Sequence, residues 1–211
     1  MKKPIILIGG GGHCRSCIDV IEQENKFAIQ GIVDLPKKKG QKILGYPIMA
    51  DDSDIKMLCE KYRNFLITLG QIKSPKRRIE IYELLKTNHA NLPVIISPLA
   101  YVSKHAILNE GTIIMHNAIV NAGANIGQNC IINNKALIEH DCIIKDQTHI
   151  STNATINGEV NVSENCFIGS SSVIRNNVRI TSNTIIGAGA VVTKDITESG
   201  VYVGSPAKRI K

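Results

Sequence analysis

Every sixth residue from Val102 to Val192 is aliphatic, 16 positions in succession without exception. The residue two places before each is small at 14 of those 16, Val160 and Val178 being the departures. An α-helix repeats its faces at about 3.6 residues and a strand at two, so neither accounts for a period of six. A hexapeptide period belongs to a parallel β-helix, in which three hexapeptides close a triangular coil of about 18 residues. On that count residues 102–192 supply about five coils. Asn117, Asn129, Asn153, Asn165, Asn177 and Asn183 fall between the aliphatic positions. Coil corners need left-handed backbone there, which asparagine tolerates. No proline interrupts the run. The segment Val201–Lys208 leaves the period and is expected to cap one end.

The preceding residues follow another logic. Pro4–Ile8 reads as a buried strand, followed by Gly9-Gly10-Gly11-Gly12-His13 and a helical pattern through Ile18 and Ile21. Phe27–Val33 is a second strand ending at Asp34, and Tyr46–Ile48 a short extended piece. Asp51–Tyr62 is a helix with Asp or Ser as its cap. Phe65–Gly70 is a third strand, Ser74–Lys86 an amphipathic helix, and Val94–Ile96 leads into the repeat. Alternating strands and helices imply a small, Rossmann-like parallel α/β unit. The expected division is residues 1–97 and 98–211.

Composition narrows the chemistry. No apolar run is long enough to span a membrane, and Lys2 and Lys3 precede only a short apolar stretch, so a soluble cytoplasmic protein without a signal peptide is expected. Cys130, Cys142 and Cys166 occupy the small-residue slot and are expected to be buried hydrophobes, not disulfide partners. Cys14 and Cys17 form a single C-x-x-C with no second pair, and are read as packing residues. The net charge is +7, but aromatics are only 4 %. With little to stack bases on, small anionic ligands fit better than nucleic acid.

Several residues carry candidate chemistry. His140 falls near a corner, and Asp141 beside it is able to fix one ring nitrogen and leave the other as a base. A single His-Asp pair is a weak signal by itself, since an exposed corner histidine needs no role. Gly158 follows His140 by one coil, a separation of about 4.8 Å along the axis. Its backbone N–H is suited to an oxyanion, although glycine also serves plain turns. His149 alternates with inward Thr148 and Ile150, so it should face outward with no core role. The repeat histidines, His105, His116, His140 and His149, lack the close paired spacing of a β-helix zinc site, and no metal is expected. Gly10, Gly11 and Gly12 open a helix after a strand, where backbone N–H groups meet phosphates. Gly70 should line the same crevice. Arg77 and Arg78 are able to reach phosphate, but solvation on the helix surface is the commoner fate.

Together these residues resemble the bacterial left-handed β-helix sugar acetyltransferases with an N-terminal nucleotide-sugar domain. That group includes the bacillosamine- and perosamine-type N-acetyltransferases and the sialic acid O-acetyltransferases. The likeness rests on Ile-Gly-Gly-Gly-Gly-His at 8–13, Gly-Ile-Val-Asp at 31–34, Ile-Glu-His-Asp-Cys-Ile-Ile at 138–144, Thr-His-Ile-Ser at 148–151 and Gly-Ser-Pro-Ala-Lys-Arg-Ile at 204–210. Cys14, Cys17 and Lys145 depart from the family pattern. The resemblance implies a left-handed coil, a homotrimer, and direct transfer from acetyl-CoA to the 4-amino group of a UDP-linked deoxy-amino sugar. His140 would be the general base, Asp141 its orienting partner and Gly158 the oxyanion donor. His149, Gly158, Ala188 and Lys208 would lie along acetyl-CoA. Gly10, Gly11, Gly12, His13, Asp34 and Gly70 would hold the nucleotide-sugar. Two alternatives stay open: a sialic acid hydroxyl as acceptor, and a non-catalytic trimeric scaffold that binds nucleotide-sugars.

Overall fold

The computed structural model describes residues 2–211. Strand β1 (Lys3–Ile8) runs into helix α1 (Gly12–Glu24), which returns to β2 (Phe27–Val33) parallel to β1. A hairpin of β3 (Lys42–Ile43) and β4 (Tyr46–Ala50) follows, antiparallel within itself, so the sheet is mixed and not wholly parallel. Asp51 caps a 3-10 turn at Asp52–Asp54 through a reciprocal capping box with Asp54, and α2 (Ile55–Lys61) continues from it. Strand β5 (Asn64–Ile67) and α3 (Lys76–Thr87) complete the unit. The strand order is β3-β4-β2-β1-β5. The chain leaves β1 toward β2 on one side and reaches β5 on the other. The carboxyl end of β1 is therefore a topological switch point, where open α/β sheets bind ligands.

The repeat forms three parallel sheets of two-residue strands. Leu137 pairs with Thr155 and Thr155 with Val173, eighteen residues apart each time, so successive coils stack in register. Stacking begins one hexapeptide before the aliphatic series, because β6 (Ile95–Ile96) already pairs with Ile113–Ile114. It ends with Val201–Val203 on the same sheet, closed by the antiparallel strand Lys208–Arg209. From Ile114 to Val192 the aliphatic series is buried, with Cys130, Cys142 and Cys166 among it as free thiols. The six corner asparagines named from the sequence all have positive φ, between 49° and 64°.

The two units share one apolar seam. Cys14, Cys17, Ile18 and Ile21 of α1 pack in a single cluster with Ile95, Ile113, Met115 and Ile131 on the outer face of the first sheet. The opposite face of the α/β sheet is covered by α2 and α3 through Ile55, Leu58, Ile81 and Leu85. No helix among the described residues is long and apolar enough to cross a membrane. Because each coil interior is filled by three inward aliphatics and their small companions, truncating one opens a void that its neighbours cannot close. Ile156→Ala, at a position with no solvent exposure, is expected to cost about 2–5 kcal/mol, read from a urea unfolding midpoint.

Candidate active site

His140 stands at the corner after the strand Leu137–Ile138. Its Nδ1 lies 2.9 Å from Asp141 Oδ2. In the neutral ring Nδ1–H donates to that carboxylate, leaving the Nε2 lone pair free. Asp141 is able to turn back onto its neighbour because its own backbone is left-handed, φ 57°. Gly123, one coil earlier, leaves the space that the Asp141 carboxylate fills; a Cβ there would collide with Oδ1. The hydrogen bond to Asp141 raises the His140 pKa above its ordinary value; desolvation opposes this, and the charges of Asp141, Glu139 and Glu159 add to it. Gly158 lies directly over the ring. A Cβ on it would stand 2.6 Å from His140 Nε2 and 2.7 Å from Cε1. The Gly158 carbonyl accepts from Asn177 N–H at 3.0 Å, while its own N–H meets no protein acceptor among the described residues. A free ring nitrogen and a free backbone donor thus share one corner.

A second feature lies at the carboxyl ends of β1 and β5. A cleft of roughly 550 Å³ opens between the two units, lined by Gly11, Gly12, His13 and Gly70 on one side and by Asn133, His149 and Ser170 on the other. Gly10 and Asp34 stand behind it. The Gly10 N–H donates to Asp34 Oδ2 at 3.0 Å, the Leu35 N–H to Oδ1 at 2.7 Å, and Lys38 pairs with Oδ2 at 2.8 Å. Burial raises the Asp34 carboxyl, but the hydrogen bonds and charge of Lys38 and the two amides outweigh it and hold the pKa below the usual carboxylate value. Asp34 therefore pins the loop by its second glycine. Gly11 and Gly12 have open space around them. Gly11 caps α1 without a side chain, and no acidic residue occupies the first turn. The positive end of the helix dipole is left facing the cleft.

His149 points out of the coil as its alternation predicts, but the α/β unit covers that face and leaves it only 6 % exposed. The alternation tells inside from outside of the coil; it does not tell which outer face the α/β unit covers. His149 Nδ1–H donates to the Gln71 carbonyl at 2.6 Å, and Nε2 accepts from Asn133 Nδ2 at 3.1 Å. Gln71 in turn donates to the carbonyls of Gln147 and Cys166. The loop after β5 is thereby fastened to the coils. His13 packs beside this chain, its ring centroid 6.4 Å from that of His149, with a buried Nε2 that has no partner among the described residues. Burial lowers the His13 pKa to about 3 and the His149 pKa to about 4, with the charge of Arg78 acting in the same direction on both. Arg78 is a correction. Arg77 is on the surface, paired with Asp52 and Glu80. Arg78, one position on, faces inward and is 2 % exposed.

Ala188 stands exposed at the corner that also carries Asn134, Thr152 and Ser170, two coils beyond Thr152, and Lys208 is exposed in the terminal hairpin; neither lines the cleft. Sequence reasoning missed Gln71, Asn133 and Ser170. Asn133 sits one residue from a corner and looks like every other corner asparagine, and Gln71 had only its position after a strand end to mark it. The cleft and His140 are at different corners of the triangle. Asn134 and His140 are one hexapeptide apart, at most about 20 Å along a face.

The two buried imidazoles predict an acid-sensitive fold. Both stay neutral in the folded chain and regain an ordinary pKa near 6.5 when it unfolds. The unfolded state then binds more protons, so stability present above pH 6.5 is lost as pH falls through that value toward the folded pKa values. The slope is up to about 1.4 kcal/mol per histidine per pH unit. Urea midpoints measured from about pH 7 to about pH 5 should fall, and His149→Gln should reduce the slope.

Residues 4–85 match the PglD N-terminal domain and residues 102–211 match the GMPPB C-terminal domain. Among curated proteins none matches the chain. Among solved structures it resembles PerB from Caulobacter crescentus in complex with CoA and GDP-perosamine, at 30% identity and TM-score 0.92, over 99% of this chain and 97% of that one. It also resembles the acetyltransferase domain of PglB from Neisseria gonorrhoeae FA1090 in complex with acetyl coenzyme A, at 27% identity and TM-score 0.91, over 100% of both. WeeI from Acinetobacter baumannii AYE shares the fold at 21% identity and TM-score 0.88, over 99% of this chain and 100% of that one. With a PglD-type N-terminal domain, a hexapeptide β-helix and full-length likeness to PerB, the chain belongs to the hexapeptide-repeat sugar N-acetyltransferases.

Proposed function

We propose that this enzyme transfers the acetyl group of acetyl-CoA to the 4-amino group of a UDP-linked deoxy-amino sugar. The observation that carries the reading is the corner where His140 Nε2, freed by Asp141, stands against Gly158. The ligands of PerB and PglB support the two substrate classes. The amine nitrogen attacks the thioester carbonyl while His140 Nε2 removes its proton. The carbonyl electrons move to oxygen, where the Gly158 N–H stabilises the oxyanion. Collapse breaks the C–S bond, and the imidazolium returns the proton to the departing CoA sulfur. Asp141 orients the ring and favours its charged form. No enzyme acyl intermediate is needed, and the coil cysteines are sealed inside, Cys142 raised to about 11 by burial.

The nucleotide-sugar is assigned to the cleft, with its diphosphate at Gly11, Gly12 and His13. His149 on its strand face and Ala188 on the neighbouring corner would face acetyl-CoA, with Lys208 near its phosphates. This places the ligands one corner away from the base of the same chain. A closed trimer removes the mismatch by setting the cleft corner of one copy against the His140 corner of the next. The outward faces suit that contact. Tyr101 and Ile119 stand exposed on adjacent strands of one sheet, with Val173 farther along it, and Ile107 and Ile143 stand exposed on either side of Asn125 on the next. Exposed apolar side chains grouped on an outer face mark an association surface.

Thiol release from acetyl-CoA tests the proposal, with UDP-4-amino-4,6-dideoxy-N-acetylglucosamine, GDP-perosamine and free or CMP-linked sialic acid as parallel acceptors. Turnover with the UDP-sugar is expected, reduced by about 10²–10⁴-fold in His140→Ala. Preference for sialic acid would move the chain to O-acetylation, and full activity of His140→Ala would favour the scaffold. The kcat/KM profile should rise with pH through an inflection above 6.5, and Asp141→Asn should shift that inflection down, because the cause of the raised His140 pKa is removed. Gly158→Ala should cost at least about tenfold in kcat, since its methyl group displaces the ring.

A further inference from the structure

Arg78 is the largest fully buried side chain among the described residues, and none of its partners there is a carboxylate. Nη1 donates to the carbonyls of Ile67 and Leu69 at 3.1 and 2.6 Å. Nη2 donates to the backbone carbonyl and Oδ1 of Asn129 at 2.9 and 2.6 Å. The Nε–H has no partner among the described residues. One guanidinium thus ties α3, the end of β5 and a coil of the repeat together, directly behind the Leu69–Gln71 side of the cleft. Gly70 is the glycine of that loop, and Gln71 follows it.

Burying a charge among neutral acceptors is costly, and such cations are usually paired. The ionisable groups packed around this region do not supply an anion. Cys14 and Cys17 on α1 are raised by burial, and Cys130 and Cys166 in the coils are raised to about 12, so all four remain neutral thiols. His13 and His149 are neutral as well. Burial lowers Arg78 itself only to about 10, which keeps it charged at neutral pH. The cleft in front has no Asp, Glu, Lys or Arg in its lining. Its walls are uncharged, a buried positive charge lies behind them, and the amino end of α1 adds a dipole of the same sign. His13 Nε2 stands buried at the same place, unpartnered among the described residues.

We propose that Arg78 is a positioning residue whose missing counter-ion is the ligand: its unpaired charge makes the uncharged cleft receptive to a diphosphate, and its fork holds the Leu69–Gln71 loop in place to receive it. The inference rests on the assignment of the nucleotide-sugar to this cleft. Arg78 touches neither the reacting atoms nor the cleft surface. It acts through the loop, and through a field that adds to the larger effect of burial in keeping His13 and His149 unprotonated and available as neutral hydrogen-bonding groups. A clamp with only a structural role would need the fork but not the charge.

The test uses the full-length protein with Arg78→Met, Arg78→Lys and Arg78→Gln, each checked for folding by thermal unfolding. Calorimetric titration with UDP-4-amino-4,6-dideoxy-N-acetylglucosamine should show affinity falling about tenfold or more in Arg78→Met, and less in Arg78→Lys, which keeps the charge. In the ligand-free protein, the ¹⁵N shifts of His13 and His149 followed downward from neutral pH should report protonation at higher pH in Arg78→Met and little change in Arg78→Lys. Arg78→Gln, neutral but able to donate to Asn129, takes the place of Arg78→Met if that variant does not fold. Unmoved histidine titrations in a folded neutral variant overturn the proposal, as does affinity within about twofold of wild type. If the wild type binds no nucleotide-sugar, the cleft assignment fails separately, and the histidine titrations still decide whether the charge of Arg78 acts there.

Discussion

The seam between α1 and the first sheet of the β-helix is the contact on which the functional geometry depends. Ile95, Ile113 and Ile131 present three stacked outward side chains, and Cys14, Cys17, Ile18 and Ile21 cover them. In an ordinary solenoid those aliphatics would face water. Here they seat the α/β unit on one face at one height, so that the glycine loop ends opposite the next residues up the same column, His149 and Phe167. The cleft exists because the seam stops at Ile131. Where the α/β unit ceases to fill the outer face, the column changes from isoleucine to histidine and phenylalanine, and the polar fastening through Gln71 takes over from apolar packing.

Much of this was legible in the chain. The period of six is enforced at every coil because a single misplaced side chain would put a polar group into a core with no water, and that made the fold plain. The six positive-φ asparagines followed from the same argument. His140, Asp141 and Gly158 were also within reach, since one coil of offset converts sequence distance directly into contact. His149 and Arg78 were not. The burial of each is decided by a second unit whose docking face leaves no periodic trace. Arg78 and Arg77 are neighbours in sequence with opposite fates, because α3 turns one toward the coils and the other toward Asp52 and Glu80. The β3–β4 hairpin, which makes the sheet mixed, was likewise hidden in strands too short to declare a direction.

The histidines at the corner and in the cleft lie in environments that act on protonation in opposite directions. At the exposed corner the Asp141 carboxylate favours the protonated form of His140. In the cleft wall, His13 and His149 lie beside a buried cation and away from water, where protonation is suppressed. The same side-chain type is therefore favoured in its charged form in one place and held neutral in the other, a difference set by the burial and the partner each one meets.

Stacking at an interval of eighteen residues also gives the molecule quantised lengths. A change of any other number of residues between two coils would turn every later side chain to a different face. A whole added coil would preserve the core and the corners, yet not every place for it is equivalent. Beyond Gly189 it would only lengthen the column. Between Ile131 and His149 it would lift the histidine out of reach of Gln71, and between His140 and Gly158 it would carry the glycine away from the ring it lies against. The protein is thus free to grow at its far end and held to a fixed count in its middle, a boundary between variable and invariant length that insertions and deletions in this architecture should respect.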